Sequence, residues 1–165
     1  MKKERVDIIS NTLWVEPIEI DSNLVSWQNR KRLYRTNIPG VTLPEDRGIL
    51  LKDVLENDVD RKYYLSDAQI EMISSWKWYE RPMEKINGAK NGKSFTITTH
   101  VAKSSNGIKL VDTGNGLRKL TPIECERLQT LPDNYTEWVN DNQRYIMLGN
   151  WWTVEVIKHI FSFIK

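Results

Sequence analysis

Few residues of this chain have a type and a sequence context that suit catalysis or ligand binding. The single cysteine, Cys125, is the one thiol nucleophile available, and it stands in the run ECERLQ. A small buried side chain is the commoner use of a cysteine inside a helix-like run. A basic run beside aromatic residues, Ser26–Arg32, could bind phosphate, with a solvated surface as the alternative. Its guanidinium groups stay charged and can donate two parallel hydrogen bonds to an anion.

Length and composition limit the function classes. At 165 residues the chain has the size of one domain or of an uneven part of a larger one. The net charge is only +2, so contacts to nucleic acid would have to come from local basic clusters. One cysteine permits no internal disulfide and fits a reducing compartment, the cytoplasm. No apolar run approaches the roughly 20 residues of a membrane span, so we expect no membrane partner.

The basic run lies within a first stretch, residues 1–48. A loose apolar periodicity predicts a helix over residues 5–15, and alternation predicts strands at 18–20 and 33–38. The residues that follow, 38–48, are rich in proline and glycine, which is typical of a linker and marks a domain boundary.

For the second stretch, residues 49–116, the sequence predicts one helix and two strands. Ser66 and Gln69 form the spacing of a capping box, which predicts a helix continuing to about residue 76. β-Branched residues predict strands at 94–99 and 108–112.

The third stretch, residues 117–165, carries the clearest local signals. Thr121, Pro122 and Glu124 together predict a helix start, with an end near residue 131. A Gly-Asn pair at 149–150 should end a second helix, and Thr153 should cap a third. This final helix has one narrow polar stripe and a wide apolar arc, which predicts packing on a sheet.

The sequence patterns in these stretches resemble those of one enzyme family. The pattern R-x-L-T-P-x-E-x-x-R-L-Q-x-x-P-D begins at Arg118, and Q-R-Y-x-x-x-G-N-x-x-x-V-x-V begins at Gln143. Both are similar to the ninth and tenth motifs of the DNA (cytosine-5)-methyltransferases, in the right order. Gln28, Arg30 and Arg32 are similar to the Q-x-R-x-R of the eighth motif.

The resemblance implies roles for particular residues. Gln28, Arg30 and Arg32 would lie at the catalytic pocket that receives a flipped cytosine, and residues 49–116 would be the target recognition region. One wall of the S-adenosylmethionine site is implied at Asn150, Thr153 and Val154. Trp151, where the family usually has a small residue, could cap that site, cover an exposed surface or obstruct binding. Implied contacts to double-stranded DNA are Lys90, Lys93, His100, Lys103 and Arg118. No metal site is implied.

The family's Pro-Cys-Gln nucleophile motif, its Glu-Asn-Val motif and its glycine-rich cofactor turn are not found in this sequence. The resemblance therefore implies a C-terminal fragment or subunit that uses S-adenosylmethionine and methylates cytosine only with a separate N-terminal methyltransferase chain. The alternatives are a standalone DNA-binding or regulatory module and an inactive remnant. Without its partner, the final helix should drive self-association.

We expect an α+β fold in isolation. Residues 1–48 and 117–165 should pack together as the broken edge of an α/β, Rossmann-like methyltransferase domain. Residues 49–116 should form a small target-recognition lobe.

Overall fold

The computed structural model describes residues 3–75, 92–101 and 110–165. The fold is α+β, as expected from the sequence. The described helices and strands are, in chain order, α1 (Lys3–Leu13), β1 (Ile18–Asp21), β2 (Lys31–Tyr34), α2 (Asp67–Ser74), β3 (Leu110–Asp112), β4 (Leu117–Lys119), α3 (Pro122–Leu128), α4 (Asp141–Asn150) and α5 (Val154–Phe161). None of these helices is long and apolar enough to cross a bilayer.

The hairpin β1–β2 and helix α5 form one packing unit. The strands are antiparallel, with Ile18 opposite Tyr34 and Ile20 opposite Arg32. Val156 and Ile160 of α5 pack against Ile20 in a small buried cluster. The prediction that the final helix packs on a sheet is confirmed by these contacts. The sheet covers only part of the apolar arc, since Phe161 and Ile164 remain 58% and 62% exposed.

A second, larger core joins the remaining stretches. Its buried residues come from residues 51–54, 97–101 and 111 as well as from α3, α4 and the segments beside α3. The described parts of residues 49–116 therefore share a core with residues 117–165 rather than building one of their own. Burial of this shared apolar surface is the main contribution to holding the two stretches together.

Local start signals are the best-predicted features. In α3 the Thr121 hydroxyl accepts from Glu124 N at 3.1 Å, and the Glu124 carboxylate accepts from Thr121 N at 2.8 Å. The same reciprocal pair joins Ser66 and Gln69 at the start of α2. Helix α3 ends at Leu128, earlier than predicted, and Thr130 then takes a left-handed backbone conformation with φ 57°.

Two strand predictions need correction. The strand expected at 33–38 lies at 31–34. The strand expected at 94–99 is absent from this described segment, which makes only one bridge, Gln28 with Ser94. The physical reason is that a side chain takes a ladder position: Ile97 N donates to the Gln28 side chain at 3.2 Å.

Candidate functional site

Gln28 links its own stretch of chain to the end of α3 and to Ile97. Its side chain is fully buried, and its amide nitrogen donates to Leu128 O at 2.8 Å and to Gln129 Oε1 at 3.0 Å. Its amide oxygen accepts from Ile97 N. Because a buried amide left unpaired is costly, these bonds fix the segment before β2 against the end of α3. Gln28 is thus a positioning residue whose polar atoms are occupied inside the protein.

Gln129 extends the same network to the end of α4 and the start of α5. Its amide nitrogen donates to Leu148 O at 2.7 Å, and its amide oxygen accepts from the Thr153 hydroxyl at 3.1 Å. Thr153 occupies the N-cap position of α5, as the sequence predicted, but its side chain makes no capping hydrogen bond. Instead Val154 N donates to Gln129 O at 3.0 Å, and Glu155 N donates to the Thr130 hydroxyl at 2.9 Å.

Arg30 ties together two backbone segments. Its guanidinium donates to Ile97 O at 2.7 Å and to both Gly149 O and Trp151 O at 3.0 Å. Burial lowers the pKa of Arg30 to about 10, with repulsion by Arg32 as a smaller cause, so the group stays charged at neutral pH. Three carbonyl acceptors make this side chain a scaffold, which leaves little capacity for a phosphate.

Arg32 differs from Arg30. It lies on β2 opposite Ile20 and is half-buried. Its guanidinium has no hydrogen bond or ion pair to any residue that the structure describes. Of the two motif arginines, Arg32 is the one free to bind an anion or a polar base edge.

The predicted cofactor wall lies at the junction of α4 and α5. The Asn150 side chain is exposed at the end of α4 and makes no hydrogen bond to the described residues, whereas Val154 packs half-buried on the main core. Trp151 also packs on this core, with its ring edge-to-face on Tyr135 at a centroid distance of 5.9 Å. Trp152 is 55% exposed beside Asn150.

The residues predicted to contact DNA fall in different environments. Arg118 is fully buried, and its guanidinium donates to both carboxylate oxygens of Glu124 at 2.8 and 2.7 Å. Lys93 is 9% exposed and donates to Asn23 O at 2.8 Å. Both side chains are held inside the protein, so a DNA contact is not available to them in this conformation. His100 is exposed. Lys90 and Lys103 lie outside the described residues.

Cys125 is fully buried in the main core, which confirms the prediction of a small buried side chain. Burial raises the pKa of its thiol well above the ordinary value, and the nearby carboxylates Glu124 and Glu126 raise it further. A thiol that stays protonated and has no access to solvent is a poor nucleophile.

We expect Cys125→Ser to lower the free energy of unfolding by roughly 1–3 kcal/mol, the cost of placing a hydroxyl in this buried position. Cys125→Ala, which adds no polar group, separates that cost from the loss of the sulfur. The measurement is urea unfolding of both variants followed by circular dichroism. A Cys125→Ser variant as stable as the parent would show that the position accepts a polar group.

Solved structures define the class of this fold. The Entamoeba histolytica methyltransferase EhMeth superposes with a TM-score of 0.69 at 17% identity, over 99% of this chain and 58% of that chain. A mutant DNMT2 of Spodoptera frugiperda superposes with a TM-score of 0.63 at 17% identity, over 97% of this chain and 62% of that chain. The fold is therefore that of part of a methyltransferase.

Sequence comparison then gives the family. The family model of the C-5 cytosine-specific DNA methylases matches residues 18–165, and the chain belongs to this family. The type II methyltransferase M.SsoII of Shigella sonnei is 35% identical over 121 residues, which are 66% of this chain and 30% of that protein. M.NlaX of Neisseria lactamica is 29% identical over 155 residues, covering 84% of this chain and 48% of that protein. The chain thus spans less than half the length of these relatives.

Proposed function

We propose that this chain is the C-terminal part of a DNA (cytosine-5)-methyltransferase, active in methyl transfer to C5 of cytosine only with a complementing N-terminal part. Membership of the family and the short span relative to the relatives support this. The chain contributes a DNA recognition region, one arginine of the catalytic pocket and one wall of the S-adenosylmethionine site.

One observation carries the dependence on a complementing part. Methylation at C5 in this family requires a thiolate that attacks C6 of a flipped cytosine. The chain has one cysteine, and that residue, Cys125, is fully buried with a raised thiol pKa. The attacking thiolate therefore has to come from outside residues 1–165.

The chain's own residues divide into two roles. Gln28, Arg30 and Thr153 hold the three motif stretches in place, as their buried hydrogen bonds support. Arg32 would meet the flipped cytosine or its backbone. Asn150 offers an unpaired amide beside the apolar surface of Val154, a combination that fits one side of S-adenosylmethionine, the methyl donor. The exposed His100, together with Lys90 and Lys103, would contact duplex DNA.

The test is reconstitution with the part of M.NlaX that has no counterpart in this chain. Tritiated methyl transfer from S-adenosylmethionine to duplex DNA is measured for each chain alone and for the mixture. We expect transfer only in the mixture. DNA binding by this chain without transfer in the mixture, with both chains folded, would favour the standalone DNA-binding module. Neither binding nor transfer would favour the inactive remnant.

The reconstituted enzyme also tests Arg32. We expect Arg32→Ala to lose about 2–4 kcal/mol of transition-state stabilisation, the size typical of removing one preorganised electrostatic contact. Duplex binding by the isolated chain should change little and should fall steeply with salt, because phosphate contacts dominate it.

Lys31→Ala is the matched control for Arg32→Ala. Lys31 is the neighbouring cation on β2, and its side chain is 69% exposed with only a 3.9 Å ion pair to Glu19. Removing it should leave kcat/KM nearly unchanged. Collapse of duplex binding by the isolated Arg32→Ala chain would instead make Arg32 part of a DNA-docking surface.

A further inference from the structure

Gln129 holds both ends of the turn that joins α4 to α5. Its side chain is fully buried at the end of α3. On the α4 side, its amide nitrogen donates to Leu148 O at 2.7 Å. On the α5 side, its amide oxygen accepts from the Thr153 hydroxyl at 3.1 Å, and its backbone carbonyl accepts from Val154 N at 3.0 Å. One residue therefore fixes where the turn leaves α4 and where it enters α5.

Arg30 holds the middle of the same turn. Its guanidinium donates to Gly149 O and to Trp151 O at 3.0 Å each, so alternate carbonyls of the turn are bound inside the protein. The residue between them, Asn150, keeps its side chain exposed. Because a fully bonded polar network is rigid, the turn presents Asn150 outward in one fixed arrangement.

The orientation of the Gln129 amide is fixed by its neighbours. Ile97 N can only donate, and it donates to the Gln28 amide oxygen at 3.2 Å. The Gln28 amide nitrogen therefore faces Gln129 and donates to its amide oxygen at 3.0 Å. That leaves the Gln129 amide nitrogen for Leu148 O, which can only accept. A backbone donor at one end and a backbone acceptor at the other allow only this direction of hydrogen bonding through Gln129.

We propose that Gln129 is a positioning residue for S-adenosylmethionine, which sets the α4–α5 turn so that Asn150 and Val154 form the cofactor wall. The inference rests on the proposed function, which assigns that wall to these two residues. Gln129 acts through the turn and not by contact, because its side chain is fully buried and its amide is bound on both sides inside the protein. Val154, whose amide donates to Gln129 O, is the direct link between Gln129 and the wall.

Amide hydrogen exchange in the isolated chain tests the hold on the turn. The variant is Gln129→Met, which keeps the length of the side chain and the backbone carbonyl but loses the bonds to Leu148 and Thr153. The Cys125 amide, which donates to Thr121 O at 3.0 Å in α3, is the internal reference. We expect the ratio of the Val154 exchange rate to the Cys125 rate to rise at least about tenfold. A loss of global stability would accelerate both amides together and leave the ratio unchanged.

The reconstituted enzyme, made with the part of M.NlaX that has no counterpart in this chain, tests the consequence for the cofactor. We expect Gln129→Met to raise KM for S-adenosylmethionine at least about tenfold and KM for duplex DNA less than about twofold. Equilibrium dialysis of tritiated S-adenosylmethionine with the same mixture should show the same rise in Kd.

Tyr145→Phe is the matched control for Gln129→Met. It also removes a buried hydrogen bond of α4, from the Tyr145 hydroxyl to Leu120 O at 2.7 Å, but this bond lies away from the turn. The exchange ratio, both KM values and the Kd should therefore stay close to those of the parent.

Thr153→Val serves if Gln129→Met does not fold. It is close to threonine in shape and removes only the hydroxyl that donates to Gln129. Thr153 is 1% exposed, so this hydroxyl is not available to the cofactor. We expect the exchange ratio and the KM for S-adenosylmethionine each to rise at least about threefold, the effect of one hydrogen bond. If only this variant folds, smaller shifts overturn the inference.

The outcomes separate this inference from the proposed function. Methyl transfer by the parent mixture, with an unchanged KM and Kd for S-adenosylmethionine in Gln129→Met, overturns the positioning role and leaves the proposed function standing. Equal rises in both KM values, or an unchanged exchange ratio, also overturn it, since Gln129 then supports the fold as a whole. A parent mixture that neither binds S-adenosylmethionine nor transfers methyl overturns both proposals.

Discussion

Replacing Glu124 with alanine should lower the free energy of unfolding by about 3–5 kcal/mol, the cost of removing one partner from a buried ion pair. The Glu124 carboxylate accepts from both terminal nitrogens of Arg118, from Thr121 N at 2.8 Å and from Glu56 N at 2.9 Å. Both charged side chains are 0% exposed. The variant leaves the Arg118 charge buried without its carboxylate and two backbone amides without their acceptor.

Urea unfolding followed by circular dichroism measures this loss. A domain of this size is typically stable by about 5–15 kcal/mol, so Glu124→Ala should remove a large share and shift the urea midpoint strongly. The dependence on urea should keep its slope if the native state stays compact. A midpoint within error of the parent would mean that water or a rearranged side chain replaces the carboxylate.

The ion pair between Arg127 and Asp133 is the matched control. It has comparable geometry, with nitrogen–oxygen distances of 2.8 and 2.6 Å, but its side chains are 29% and 46% exposed. Asp133→Ala should therefore cost no more than about 1 kcal/mol. An equal loss in both variants would show that the bidentate geometry, rather than burial, sets the contribution.

The stabilisation from the Arg127–Asp133 pair should also depend on pH. The hydrogen bond from Arg127 holds the pKa of the Asp133 carboxyl below its usual range. The stabilisation from this pair is thus present above the unfolded-state pKa and is lost as the pH falls through the lower folded-state value. The difference in unfolding free energy between the parent and Asp133→Ala should therefore become smaller as the pH falls into the acid range.

The sequence predicted those features whose cause is local. The capping box of Thr121 and Glu124 spans four consecutive residues. It forms as predicted because both partners lie in the same short segment. The additional bond from Glu56 N to Glu124 spans 68 residues, and no local pattern signals it. The sequence analysis also missed the bridging role of Gln129, which accepts from Gln28 in the fold. The only signal for it in the sequence is that Gln129 belongs to the quoted pattern R-L-Q.

Charge alone did not predict which cationic side chains are exposed. Arg30, Lys93 and Arg118 are cations in the sequence and suggested pocket or DNA contacts, yet all three are buried. Arg30 and Lys93 donate to backbone carbonyls among the described residues, and because every residue has a carbonyl, no sequence pattern signals these contacts. The predicted strand at 94–99 was wrong for a related reason, because a glutamine side chain replaces the backbone partner that β-branched composition presupposes.

Gly149→Ala should destabilise the protein by at least about 3 kcal/mol, at or above the usual upper range for overpacking. A Cβ built on Gly149 would lie 2.3 Å from both Thr98 C and Thr99 N. These are backbone atoms, so a rotamer change brings no relief. The segment that carries them is fixed at Ile97, whose carbonyl binds Arg30 and whose amide binds Gln28.

Helix propensity and steric contact act in opposite directions at Gly149. Gly149 lies within α4, where helix propensity alone would make alanine more favourable than glycine by about 1 kcal/mol. Asn142→Ala, at an exposed position of the same helix, controls for propensity and should change stability by less than about 0.5 kcal/mol. Thermal and urea unfolding of the two variants is compared with the parent. A Gly149→Ala variant as stable as the parent would mean that residues 98–99 can move away from α4, and that the Arg30 contacts do not hold the segment at Ile97 in one fixed position against the end of α4.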